Sequence, residues 1–94
     1  MQRSPHWSKL REQWLVVHRH CAVCDTTDHL EVHHIEPFHV NPDRELDTSN
    51  LITLCEKPGH SCHFVFGHFH DWYKYNPEVR SMAARYNLEQ RSAP

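Results

Sequence analysis

Four cysteines and a doubled histidine interleave through the middle of this 94-residue chain. The order is Cys21-Ala-Val-Cys24, Leu30-Glu31-Val32-His33-His34-Ile35, Asn50-Leu51-Ile52-Thr53-Leu54-Cys55, and then Cys62-His63. Two residues between Cys21 and Cys24 let both thiolates converge on one zinc ion. Cys55 and Cys62 supply the second pair, with six residues between them, so the loop joining them must bulge. His60 lies inside that loop and is the alternative fourth ligand. A closed four-ligand site does no chemistry. Its contribution is folding free energy, on the order of 10 kcal/mol for zinc sites in small peptides. Other uses of the cysteines fit less well. A two-cysteine, two-histidine finger wants about twelve residues between its pairs, and a redox Cys-x-x-Cys wants a βαβ context that is missing.

With the thiolates engaged, His33, His34 and His63 remain for different chemistry. Neutral imidazole near pH 7 either binds a metal or takes a proton. Phosphodiester hydrolysis needs both roles, a base to activate water and a cation to stabilise charge on phosphate and leaving oxygen. Neighbouring imidazoles on one strand let one ring reach a metal and the other a water beyond it. His63 completes the metal site from the first turn of the next helix, where the positive helix end keeps it neutral. The chain's 11 histidines are scattered, which excludes an affinity tag. His6, His18, His20, His29 and His39 read as surface or hydrogen-bonded residues. His68 and His70 are candidates for contact with a nucleic-acid phosphate.

The positioning elements follow from hydrophobic spacing. Residues 5–20 read as a helix, with Ser4-Pro5 as cap and first turn and Trp7, Leu10, Trp14 and Val17 as the apolar stripe. Cys21 to Asp28 forms a tight knuckle. Leu30 to Ile35 reads as a strand, sending His33 and His34 to opposite faces. Residues 38–49 form an irregular loop, and Leu51 to Leu54 a second strand. A helix over Cys62 to Tyr75 follows, with Val65, Phe69, Trp72 and Tyr73 buried and Gly67 weakening it slightly. Asn76-Pro77 starts a last helix over 77–87 carrying Val79, Met82, Ala83 and Tyr86. The expected architecture is α+β, one domain over 1–94 with its motif core at 21–75.

Ninety-four residues leave a marginal core, which a metal staple offsets. No apolar run near the N-terminus is long enough for a signal peptide or membrane span. A cytoplasmic setting is therefore expected, where thiols stay reduced and favour metal over disulfide. Ten basic against twelve acidic residues give a net charge of −2, so no basic surplus advertises nucleic acid. A bound divalent cation can still make one face locally positive.

The strings LEVHHIEP, NLITLC and CH, in that order, resemble the HNH endonuclease family of ββα-metal nucleases over roughly Cys21 to His63. The resemblance implies a small ββα-metal domain with a structural zinc knuckle, here flanked by N- and C-terminal helices. It also implies His34 as general base, His33 and His63 as ligands of a catalytic divalent cation, and Asn50 as the residue tying the inter-strand loop to the backbone. The implied zinc ligands are Cys21, Cys24, Cys55 and Cys62. The catalytic ion is Mg²⁺ or Mn²⁺, with Ni²⁺, Co²⁺ or Zn²⁺ also compatible with histidine ligands. The implied substrate is double-stranded DNA, with RNA as the alternative, cut to 5′-phosphate and 3′-hydroxyl ends. Two departures stand out. Many relatives have two residues between the third and fourth cysteines, and some have a further ligand one turn after the helix histidine, where this chain has Gly67. On an α-helix His68 lies about 140° around from His63, and His70 about 10 Å along the axis. The expected ion is thus held by two histidines, with Gly67 leaving room for the nucleic-acid backbone. The rival readings are an inactive zinc-stabilised DNA- or protein-binding module and a zinc hydrolase of another substrate.

Overall fold

The computed structural model describes residues 4–92, without the side chains of 91 and 92. The architecture is α+β: an N-terminal helix, a two-stranded antiparallel sheet and a C-terminal helix around the four-cysteine cluster.

Helix α1 spans Trp7–Val17, shorter at both ends than the predicted 5–20. Ser4 does not cap it directly; its Oγ accepts the His6 N–H, and His6 stands at the cap without a side-chain bond. The Ser4 backbone N–H instead donates to Glu45 Oε1 at 2.9 Å, tying the start of the chain to the inter-strand loop. Trp7, Leu10 and Trp14 are half-buried as expected, but Val17 is exposed because the helix ends there. The Trp14 indole N–H donates to Thr53 Oγ1, whose hydroxyl donates to the His18 carbonyl. One threonine therefore docks the helix C-terminus on the sheet.

Strands β1 (Leu30–His34) and β2 (Leu51–Cys55) pair with Leu30 opposite Cys55, Val32 opposite Thr53 and His34 opposite Leu51. Every residue of β2 is buried, so it is the centre of the molecule. The core gathers Cys21, Val23, Ile52, Leu54, Cys55 and Cys62 with Val79 and Ala83 from helix α2 (Val79–Ser92). Val79 and Ala83 are four apart, one face of a helix, as their spacing predicts. Asn76 prepares α2: its Oδ1 accepts the Glu78 N–H and its Nδ2 donates to the Phe66 carbonyl. Arg80 donates to the carbonyls of Ser49 and Leu51, which makes it a structural clamp.

The expected irregular loop contains two short 3-10 turns, Pro42–Arg44 and Thr48–Asn50. The larger departure is the predicted helix over 62–75. It is one π-helical turn, His63–Gly67, followed by left-handed backbone at Phe69 (φ 52°) and His70 (φ 63°) and then turns. Left-handed non-glycine residues cannot continue a right-handed helix, so the apolar spacing of Val65, Phe69 and Trp72 has no helix to act on. Asn76 then pins the chain back by donating its backbone N–H to the Gly67 carbonyl. The predicted buried stripe fails with the helix: Phe69 is 44%, Trp72 53% and Tyr73 93% exposed. None of the helices among the described residues is long and apolar enough to cross a membrane.

Candidate functional site

The four cysteine sulfurs lie within 4.8 Å of one another, unbridged by any disulfide. Cys24 and Cys55 sulfurs are 3.6 Å apart, close to the spacing of about 3.8 Å expected between thiolates around tetrahedral zinc. Cys62 completes the group; His60 is exposed and outside it. The six-residue spacer is absorbed by a turn in which His60 and Ser61 both donate to the Lys57 carbonyl, with Gly59 at φ 84° and Ser61 at φ 44°. Crowding splits the thiols electrostatically. The Cys62 contact pulls Cys21 down to about 5, whereas burial lifts Cys24 to about 11 and the Cys21 contact raises Cys62. A cation bound among the four sulfurs would offset that repulsion and deprotonate all four. The donor set fits zinc.

A second cluster joins His33, His63 and His68. His63 Nε2 lies 3.0 Å from His33 Nδ1 and 3.2 Å from His68 Nε2. Nitrogens that share one ion at metal–nitrogen bonds of 2.0–2.1 Å stand about 3 Å apart. The inward-facing atoms are set from outside. The Lys74 carbonyl can only accept, so His68 Nδ1–H donates to it at 2.6 Å and His68 Nε2 turns its lone pair inward. His63 Nδ1 faces Glu56 Oε1 at 3.3 Å, which leaves Nε2 for the cluster. Burial, then the other histidines, pushes His33 down to about 3; burial, then His68, pushes His63 to about 4. Both imidazoles are neutral at ordinary pH and ready to ligate. Burial and the Glu31 charge raise Glu56, while the Phe64 backbone N–H and His68 pull it down.

His68 corrects the expectation that it lies on the wrong side of a helix. In a π turn the backbone bonds run from residue i to i+5, so the residue five positions on returns beside the first. Gly67 has a different role from the one expected. A Cβ there would stand 3.1 Å from His33 Cε1 and 3.3 Å from His63 Cδ2, so the missing side chain admits the two imidazole rings. His70 stays outside the cluster, exposed, with its ring edge-on to Phe64.

His34, at the end of β1, is 8% exposed and its Nε2 is 2.9 Å from the Glu45 carbonyl. A carbonyl accepts, so the ring carries its proton on Nε2 and Nδ1 is the basic nitrogen. Trp7 from α1 packs on this ring, centroids 4.4 Å apart. Asn50, which is fully buried, fastens the loop that carries the Glu45 carbonyl. Asn50 Oδ1 accepts the Glu36 N–H at 2.8 Å, and Nδ2 donates to the carbonyls of Glu36 and Arg44. Arg44 reinforces the loop through Glu36 (3.1 Å) and Asp47 (3.3 Å). A cleft of about 310 Å³ brings His33, His34, His63 and His68 together, with Phe38, His39 and Trp72 among its other walls. Sequence reasoning missed four of these parts: His68 as a member of the cluster, Glu56 beside His63, Trp7 on His34, and His39 at the cleft. Only Glu56 left a signal in the sequence, as an acid directly after a cysteine ligand.

Residues 21–63 match the family model of the HNH endonucleases. No curated protein and no solved structure matches the chain.

Proposed function

We propose that the HNH endonuclease domain over residues 21–63, extended by His68, cleaves DNA phosphodiester bonds with a divalent cation held by His33, His63 and His68. The observation that carries this reading is the meeting of His34 with the three-imidazole cluster in one cleft. When bound, the cation supplies stabilisation of the charge that develops on the phosphate and the departing 3′-oxygen. His34 is the general base. Its Nε2–H is committed to the Glu45 carbonyl, so Nδ1 receives the proton of the water that attacks in line. Trp7 and the Glu45 carbonyl hold the ring against rotation, and Asn50 holds the loop that carries the carbonyl. Asn50 thus supports the base without touching substrate. Imidazole nitrogens suit Ni²⁺, Co²⁺ or Zn²⁺, whereas Mg²⁺ and Mn²⁺ prefer oxygen ligands and would draw them from water and phosphate. The proposed substrate is double-stranded DNA, leaving 5′-phosphate and 3′-hydroxyl ends.

Plasmid nicking with and without Mg²⁺ or Mn²⁺ tests the activity, with RNA as a parallel substrate. His34→Ala is expected to abolish nicking while zinc content and the far-ultraviolet spectrum stay unchanged. Undiminished cleavage by that variant would remove His34 from the mechanism. DNA binding without metal-dependent cleavage by the wild type would leave a binding module instead.

A further inference from the structure

Glu56 and His63 face each other beneath the histidine cluster. Glu56 Oε1 and His63 Nδ1 are 3.3 Å apart, both atoms are buried, and neither has a hydrogen-bond partner among the described residues. Buried polar atoms left unpaired cost about 1–3 kcal/mol each, so two of them aimed at one another mark a contact waiting to be made. The pair is short of hydrogen-bond alignment but inside ion-contact range. Its placement follows from the covalent chain. Glu56 directly succeeds Cys55, and His63 directly succeeds Cys62, so two ligands of the thiolate cluster each hold one member. The Glu56 backbone N–H is further anchored on the His29 carbonyl at 2.9 Å.

We infer that Glu56 is a positioning residue: its carboxylate receives the Nδ1–H of His63 and so directs His63 Nε2 at the metal centre. This rests on the metal centre proposed above and adds to it an outer partner seated on the zinc knuckle. Of the three clustered rings, His68 has the Lys74 carbonyl behind it to set its tautomer, and His63 has only Glu56 in that place. An ionised carboxylate accepts and never donates, so it selects one of the two imidazole tautomers. Without it the proton is free to sit on Nε2, where it blocks the lone pair that must ligate. Outer partners of metal-bound histidines typically change metal affinity by 10–100-fold.

The test uses the full chain with its structural zinc retained, checked by native mass spectrometry, and cobalt(II) as the probe for the histidine centre. Glu56→Ala is expected to weaken cobalt binding about ten- to a hundred-fold. Nitrogen spectra of the cobalt-free protein are expected to change from a single Nδ1–H tautomer of His63 to a mixture. Glu56→Gln keeps an oxygen acceptor and should restore most of the affinity and the tautomer. Wild-type affinity in Glu56→Ala overturns the inference, and so does an unchanged His63 tautomer. If the alanine variant fails to hold zinc, Glu56→Asp, one methylene shorter, carries the same expectation, and undiminished cobalt affinity there overturns it equally. Cobalt binding that depends on Glu56 in a protein that cuts no DNA would defeat the nuclease reading alone. A wild type that takes no cobalt would defeat both.

Discussion

At the residue scale, burial decides which histidine can carry a proton. His33 is 3% exposed and its pKa is driven from 6.5 to about 3, with His63 following to about 4. The unfolded chain therefore binds more protons than the folded one once the pH drops below 6.5. The stability contribution is complete above that value and is lost as the pH falls toward 4. For His33 this amounts to about 1 kcal/mol over the first pH unit below 6.5. Thermal melts of protein with zinc retained should therefore fall more steeply across that unit in wild type than in His33→Asn; parallel slopes would contradict the assignment. The meeting of His33, His34 and His63 in one cleft was legible because the three lie in the same motif order as the cysteines. His68 was not, since its offset from His63 means different things in α and π geometry.

At the element scale, the π turn His63–Gly67 is the feature on which the cleft depends. It is short, it ends against left-handed Phe69 and His70, and it leaves His63, Gly67 and His68 on one side. Gly67→Ala should destabilise the fold by about 1–3 kcal/mol through overpacking. It should also spread His33 and His63 and weaken cobalt binding at the histidine centre. Urea denaturation and cobalt titration check the two effects, and a silent alanine would show that the rings have room to spare. The strand pair was readable because alternation marks β1 and a short, apolar, β-branched run marks β2. The long helix over 62–75 was misread because Val65, Phe69 and Trp72 satisfy helical spacing in the sequence, while the backbone reverses at 69–70. Their exposure of 44% for Phe69 and 53% for Trp72 records the difference.

At the scale of the whole molecule, the two metal-type clusters are one construction. Cys55 and Cys62 hold the core, and the next residues after them, Glu56 and His63, face each other, with His63 lining the cleft. Helix α1, outside the family-matched segment, contributes Trp7, which packs on the ring of His34, one of the cleft's walls. Cys24→Ser should therefore do more than release zinc. It should remove folding free energy on the order of 10 kcal/mol, abolish the cooperative melt and remove cobalt uptake at the histidines as well. Native mass spectrometry showing full zinc retention, or a normal histidine centre in zinc-free protein, would separate the two clusters. The net charge of −2 supplies no general attraction for a polyanion, so an ion held in the cleft would make that face locally more positive.

The residue order alone was enough to read the grouping of the four cysteines, the paired strands and three of the four central histidines, because motif spacing and strand pattern are local properties of the chain. Three features waited for the folded backbone: the π winding that returns His68 to His63, the reach of Glu56 across to a ring seven positions on, and the laying of Trp7 against His34. Each depends on how distant segments pack and on a single local change in helical winding. Neither quantity is encoded in the periodicity of a short stretch of residues.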